Sequence, residues 1–441
     1  MASPLWGLPF AGLLLSVAVL PLLAPRFWHR HDGKVTAGWA LAWLLPAAWV
    51  EGPGAAGHQL AHALLADYLP FMLLLTALYV VAGGIFVRGN LRGGSGVNVA
   101  LMATGAALAS VMGTTGASML MVRPLIRAND QRPSSAHVMV FFIFIVSNAG
   151  GALTPLGDPP LFLGFLQGVS FFWTLTHLLP HTLFLTLSLL AIFWIVDARL
   201  LRREPPRAAD PTPPTRGIAI EGGVNVLLLA GIAGLTLASG LWQGGTAFDL
   251  AGVAVPWSGL VRDAGLLAIA GLSLWLTPPA ARAQNHFSLG PMAEVARLFA
   301  AIFLTMIPVL AMLRAGADGP FAGLLAAVDG PDGQPRPGVY FWAAGALSSF
   351  LDNAPTYLVF FNAAGGEASQ LMTRQADTLA AISAGAVFMG ANTYIGNAPN
   401  LMVKAVAEGR GIRMPGFFGY MAWSGAVLLP LFGLMSVIWF S

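Results

Sequence analysis

A carboxylate, three prolines and a glycine pair interrupt one apolar run: Ser147-Asn148-Ala149-Gly150-Gly151-Ala152-Leu153-Thr154-Pro155-Leu156-Gly157-Asp158-Pro159-Pro160. No continuous helix passes through such a segment, because proline lacks the amide donor and clashes with the preceding turn. Hydrocarbon accepts non-helical backbone only where it lines a cavity or is packed inside protein. Ionisable groups at that depth are read as functional. A second break, Asn392-Thr393-Tyr394-Ile395-Gly396-Asn397-Ala398-Pro399, follows late in the chain. Aligning Thr154 with Thr393 also matches Gly157 with Gly396 and Asp158 with Asn397. Broken helices at corresponding positions of two halves point to a transporter's binding site.

The surrounding composition fits that reading. Of 441 residues, 56% are hydrophobic and 9% charged, against roughly 25% charged in soluble proteins. The fold class expected is therefore an all-α integral membrane protein. A formal charge of +3 is too small to imply a nucleic-acid partner, and the absence of cysteine excludes disulfides and thiolate metal sites. The sequence contains no nucleotide-binding loop, catalytic triad or metalloprotease helix. No enzymatic activity and no cofactor are expected, so energy has to come from an ion gradient. The start, Met1-Ala2-Ser3-Pro4-Leu5, lacks the basic segment of a signal peptide, while Arg26, Arg30 and Lys34 follow the first apolar run. That run is expected to stay in a bacterial inner membrane with the N-terminus outside.

A crossing needs about 20 apolar residues. That length predicts spans near 4–24, 36–52, 66–87, 137–167, 174–196, 222–243, 258–277, 292–313, 376–408 and 414–440. Arg88 and Arg92 precede the apolar stretch 96–122, and Arg123, Arg127 and Arg132 follow it. Both ends then lie on the cytoplasmic side, so the stretch is expected to enter and return as a re-entrant hairpin turning at Gly113-Thr114-Thr115-Gly116. The stretch 338–364, with Asp352-Asn353-Ala354-Pro355 at its middle, is expected to dip in from outside. Of the 22 Lys and Arg residues, only Arg262, Arg314, Arg336 and Arg374 then fall outside, as the positive-inside rule asks. Each half reads as five crossings and a hairpin, and an odd number of crossings turns the second half upside down. The expected organisation is a first inverted repeat over 1–196, a polar, proline-rich cytoplasmic linker over 197–221 and a second repeat over 222–441, with the C-terminus outside. Ser110 corresponds to Ser349 and Thr114 to Asn353 at the offset that relates Thr154 to Thr393.

Four polar clusters then converge near the midplane: 113–118, 147–158, 348–356 and 392–399. Half-helix ends offer carbonyls to a cation or amides to an anion, so the geometry alone leaves the sign open. Asp158 and Asp352 favour a cation, since carboxylates repel anions and hard cations take oxygen ligands. Candidate ion or substrate ligands are Asp158, Asp352, Asn353, Ser147, Asn148, Thr154, Asn392, Thr393, Thr114, Thr115 and Asn397, with Na⁺ candidates Asp158, Asn148, Asp352 and Asn392. The alternative for Asp158 is capping of the helix that starts at Pro159. For the Ser, Thr and Asn residues it is satisfying backbone freed by the break. Arg123 is either a counter-ion for an anion or an anchor reaching to the interface. His58 with His62, and His177 with His181, have a metal-holding i,i+4 spacing but no third ligand, so interfacial roles are expected. Asp67 and Glu51 are expected to be solvated.

At Met112–Ser118, Ser147–Phe165, Phe350-Leu351-Asp352-Asn353-Ala354-Pro355 and Gly390–Asn400, the chain resembles the ion transporter superfamily. Within it the likeness is to bacterial sodium:proton antiporters of the NhaD-like, citrate-transporter-like group. The resemblance implies inverted repeats, opposing hairpins, a homodimer and elevator-like movement in the lipid bilayer. In sodium-coupled dicarboxylate relatives, Ser-Asn-Thr triplets at the hairpin tips bind carboxylates and sodium. Here Gly113-Thr114-Thr115-Gly116 and Asp352-Asn353-Ala354 stand in their place, which moves the expectation to Na⁺/H⁺ antiport, with a coupled citrate or dicarboxylate carrier as the alternative and arsenite or another anion behind it.

Overall fold

The computed structural model describes residues 3–89, 91–205, 219–242, 244–330 and 334–441. The proline-rich core of the expected linker, 206–218, lies outside the described residues. Eight helical segments among those described are long and apolar enough to cross a membrane: Pro4–Pro21, Pro53–Ala82, Ser95–Met112, Trp173–Leu201, Val224–Leu241, Trp257–Leu276, Gly290–Arg314 and Phe417–Trp439. Four short strands accompany them, Phe86–Arg88 paired antiparallel with Ala219–Glu221 and Thr246–Leu250 with Val253–Pro256.

Helices begin earlier than hydropathy suggests. The second expected span, 36–52, belongs to a helix over Pro25–Val50, whose first turn accommodates Pro25 and whose first two turns carry Arg26 and Arg30. Its polar turn is tied down by Arg297, which donates to Asp32 at 2.8 Å. The third, 66–87, starts at Pro53, passes through a π-helical turn at Ala63–Tyr68 and ends at Ala82. Inside that turn Asp67 is not free in solvent; Gln167 donates to it at 3.2 Å. The helix Trp173–Leu201 runs past the expected end at 196 because Asp197 is fully buried in an ionic cluster.

The two interrupted regions and the two helical pairs form the densest part of the molecule. Ser95–Met112 and Thr114–Ala128 pack against each other and are joined by Gly113 alone. That residue has φ +81° and ψ 149°, a conformation open essentially to glycine. Pro337–Ser348 and Asn353–Ala363 form the second pair, separated at 349–352 rather than within the 352–355 segment. The reason is local: Asp352 caps the second helix by accepting from the Ala354 amide at 3.1 Å. Pro337–Ser348 lies along Ala376–Met389. Between helices in lipid, attraction comes from close packing and hydrogen bonds rather than from water exclusion. Here the backbones approach so closely that a β-carbon on Gly385 would stand 2.5 Å from the Phe341 carbonyl oxygen. Gly385→Ala is expected to destabilise the protein by about 1–3 kcal/mol, as overpacked cores do, measurable as a lowered unfolding midpoint in detergent.

The halves of the chain interlock. Asn353–Ala363 packs on Pro159–Leu166, and Ala398–Glu408 on Thr114–Ala128 and Ala136–Ile145.

Candidate ion-binding site

Each break leaves carbonyls and amides without helical partners, and where these are buried each orphan costs several kcal/mol. Side chains take them up in matched fashion. Ser110 Oγ donates to the Gly150 carbonyl at 2.6 Å and Ser349 Oγ to the Met389 carbonyl at 3.1 Å. Thr154 donates to the Ser110 carbonyl and Thr393 to the Ser349 carbonyl. The same hydroxyls accept from Leu156 N at 3.1 Å and Ile395 N at 3.2 Å. Asn400 Nδ2 closes the second break by donating to the Gly390 and Thr393 carbonyls at 2.8 and 2.9 Å. Every one of the first three pairings falls at the offset that relates Thr154 to Thr393.

Asp158 stands where the first break meets both helical pairs. It occupies the position before Pro159 in extended conformation, φ −138° and ψ 143°, and its side chain makes no capping bond to that helix. Thr114 Oγ1 donates to its Oδ1 at 2.8 Å, Asn397 Nδ2 to the same oxygen at 3.3 Å, and Asn353 Nδ2 to its Oδ2. The side chain is 1% exposed. Among the described residues no Lys, Arg or His nitrogen lies within ion-pair distance of it. The amide oxygens of Asn353 and Asn392 are buried and accept no hydrogen bond. A carboxylate held by three neutral donors, beside the unclaimed Asn353 oxygen and with Asp352 close by, is a negatively charged site with no positive partner among the described residues.

The amide network extends outward. Asn397 Nδ2 also reaches the Ser147 carbonyl and Asn148 Oδ1, both at 3.2 Å. Asn148 Nδ2 donates to Asn400 Oδ1 at 2.8 Å, and Ser147 Oγ meets Ser118 Oγ at 2.8 Å.

Compared with known proteins, the model of a family described as "Putative citrate transport" matches residues 1–440. The chain belongs to that family. No curated protein matches it. It is thus a multi-pass membrane protein of a transporter family, within the citrate-transporter-like group that its motifs resemble.

Within this family member the other sequence candidates divide by task. Thr154 and Thr393 bind backbone and make no hydrogen bond to Asp158. Asn392 Nδ2 donates to Ser349 Oγ at 2.9 Å while its main-chain carbonyl accepts from Ser424 Oγ at 2.7 Å. Asp352 caps its helix and lies near enough to Asp158 for the two carboxylates to repel each other. Thr115, next to Thr114, makes no side-chain hydrogen bond among the described residues. Two members of the network, Ser118 within the 113–118 cluster and Asn400 at the end of the second motif, are not among the candidate ligands read from the sequence. The latter carries a signal in hindsight: it stands three residues after Asn397 on the same helical face.

The histidines separate too. His58 Nδ1 bonds to the Ala251 carbonyl at 2.9 Å, whereas His177 stacks on Trp173 with ring centroids 4.2 Å apart. Among the described residues no group of three His, Cys, Asp or Glu side chains is placed to hold a metal. A second buried charge cluster, not foreseen, lies at the far end of Trp173–Leu201. Asp197 accepts from Arg132 Nη1 at 2.6 Å, His137 Nε2 at 2.8 Å and Asn98 Nδ2 at 3.3 Å, and Arg132 also pairs with Glu204 at 2.8 Å.

Proposed function

We propose that the protein is a secondary active transporter that exchanges Na⁺ for H⁺ at Asp158. The observation that carries this reading is the buried carboxylate without a counter-charge. Leaving an ion in that state costs several kcal/mol even after relaxation, so the group calls for a proton or a small cation. Two occupants competing for one carboxylate constitute an exchange mechanism in the simplest form. Sodium, a hard cation, takes oxygen ligands. Asp158, the unclaimed Asn353 oxygen and the oxygens of Ser147 and Asn148 are of that kind, with Thr114 and Asn397 holding the carboxylate in place. Asp352 adds a second negative charge nearby, and Asn392 a second free oxygen.

Alternating exposure of this site by joint movement of the helical pairs and the breaks belongs to the same proposal. So do the inverted relation of the halves, pairing with a second copy, and an inner-membrane orientation with both termini outside. A second reading, a sodium- or proton-coupled carboxylate carrier, draws support from the family's description.

Purified protein in liposomes carrying an internal pH dye and an imposed pH gradient separates the two. Exchange predicts a proton flux triggered by external Na⁺. Uptake of labelled citrate or succinate, with no proton flux from Na⁺ alone, would replace exchange with the carboxylate reading. Asn353→Ala removes both a donor to Asp158 and a free oxygen. It is expected to raise the Na⁺ concentration for half-maximal flux by about tenfold, the worth of one charge-assisted contact.

A further inference from the structure

Five arginines meet around one large cavity away from the Asp158 site. Its volume is about 1000 Å³, and its walls include Arg123, Arg127, Arg132, Arg410 and Arg413 with Asp130 as the one carboxylate. Arg132 is neutralised by Asp197 and Glu204. The other four form no ion pair among the described residues. Arg123 has only a 3.3 Å bond to the Met119 carbonyl. Arg127 donates to the Val87 carbonyl at 2.6 Å and lies over the Phe86 ring, while its Nε is buried without a partner.

Topological anchors extend their guanidiniums outward to water and headgroups. Here Arg123 and Arg127 are half-buried and share one concave wall with the exposed Arg410 and Arg413. Arg123 and Arg127 line the same wall as Arg410, where their like charges repel. They arrive from separate parts of the chain, the helix Thr114–Ala128 and the turn that follows Ala398–Glu408. Bringing like charges together around a concavity is unfavourable unless something negative fills it. Planar guanidinium forks match the oxygen geometry of phosphate and carboxylate groups, and several forks favour several charges.

We propose that this cavity is a binding site for a small multivalent oxyanion, of phosphate or carboxylate chemistry, separate from the Asp158 site and independent of what that site transports. The wall also includes Phe86, Ala283 and Gln284, so a bound anion would join the strand Phe86–Arg88 and the helix Pro279–Gln284 to the helix Thr114–Ala128. Free anions and the headgroup of an anionic lipid share this chemistry.

The test uses the full chain purified in neutral detergent without phosphate. Inorganic phosphate and citrate are titrated calorimetrically at constant ionic strength, with chloride as the monovalent control. In parallel, phosphatidylglycerol retention is measured against phosphatidylcholine by native mass spectrometry. Arg410→Gln combined with Arg413→Gln lies in an exposed turn, so the fold is retained, and Arg123→Gln probes the cavity wall. Saturable binding of phosphate or citrate that weakens about a hundredfold in the double variant, at about tenfold per lost fork, supports a soluble anion. Phosphatidylglycerol retained by the wild type and lost from the double variant supports the headgroup as source. Anion and lipid binding unchanged in both variants, or a response matched by chloride, overturns the proposal.

Discussion

Asp158→Asn is expected to abolish Na⁺-driven proton flux while leaving the protein folded and more heat-resistant. The amide fills the same volume beside Thr114, Asn353 and Asn397 but takes neither a proton nor a sodium ion in exchange. Flux should fall by about a hundredfold or more, equivalent to losing at least two factors of ten in barrier terms. Stability should move the other way, because the wild-type carboxylate is 1% exposed with no cationic neighbour among the described residues. Relieving a buried charge of that kind is worth several kcal/mol. In sodium-free, alkaline detergent the variant is therefore expected to unfold at a higher temperature than wild type. Adding Na⁺ should raise the wild-type midpoint, as any ligand specific for the native state does, and leave the variant's unchanged. A variant that still exchanges Na⁺ for H⁺ would remove Asp158 from the mechanism. One that is stabilised by Na⁺ as strongly as wild type would place the ion elsewhere.

The second large effect concerns stability alone. Asp197→Ala is expected to cost about 3–5 kcal/mol, the range for removing one partner of a buried ion pair. Arg132 and Asp197 both have fully buried side chains, and His137 and Asn98 also bond to the lost carboxylate. Unfolding of the purified protein by denaturant in mixed micelles measures this. Replacing both partners with apolar residues, Arg132→Met with Asp197→Leu, in a Glu204→Gln background should recover most of the loss, since no carboxylate or guanidinium is then stranded. If the double replacement is as unstable as Asp197→Ala, the loss is one of packing and not of charge.

How far the residues alone foretell this arrangement depends on the kind of signal they carry. Prolines and glycines inside apolar runs located both breaks, because nothing else in the sequence could tolerate them at that depth. The offset that relates Thr154 to Thr393 likewise reappears as paired hydrogen bonds from Ser110 and Ser349. Helix starts were less legible. The stretch from Pro25 to Lys34 is polar enough to look like a loop, yet it is helical, and Asp32 within it meets Arg297, a partner distant in sequence. The same holds for Arg132, which reads as a surface anchor until folding buries it against Asp197 and Glu204. The roles of the two acids were also beyond pattern reading. Both precede a helix, but only Asp352 uses its side chain to cap one, while that of Asp158 turns toward Thr114, Asn353 and Asn397.

The grip on Asp158 also bears on how the polypeptide is made. Synthesis runs from the N-terminus, so Thr114 and Asp158 leave the ribosome long before Asn353 and Asn397, which supply the remaining donors. Until those arrive, the half-built protein holds an acid that its membrane does not tolerate bare. Insertion must therefore proceed with that carboxyl neutralised or hydrated, and its final dry setting is among the last things assembly completes.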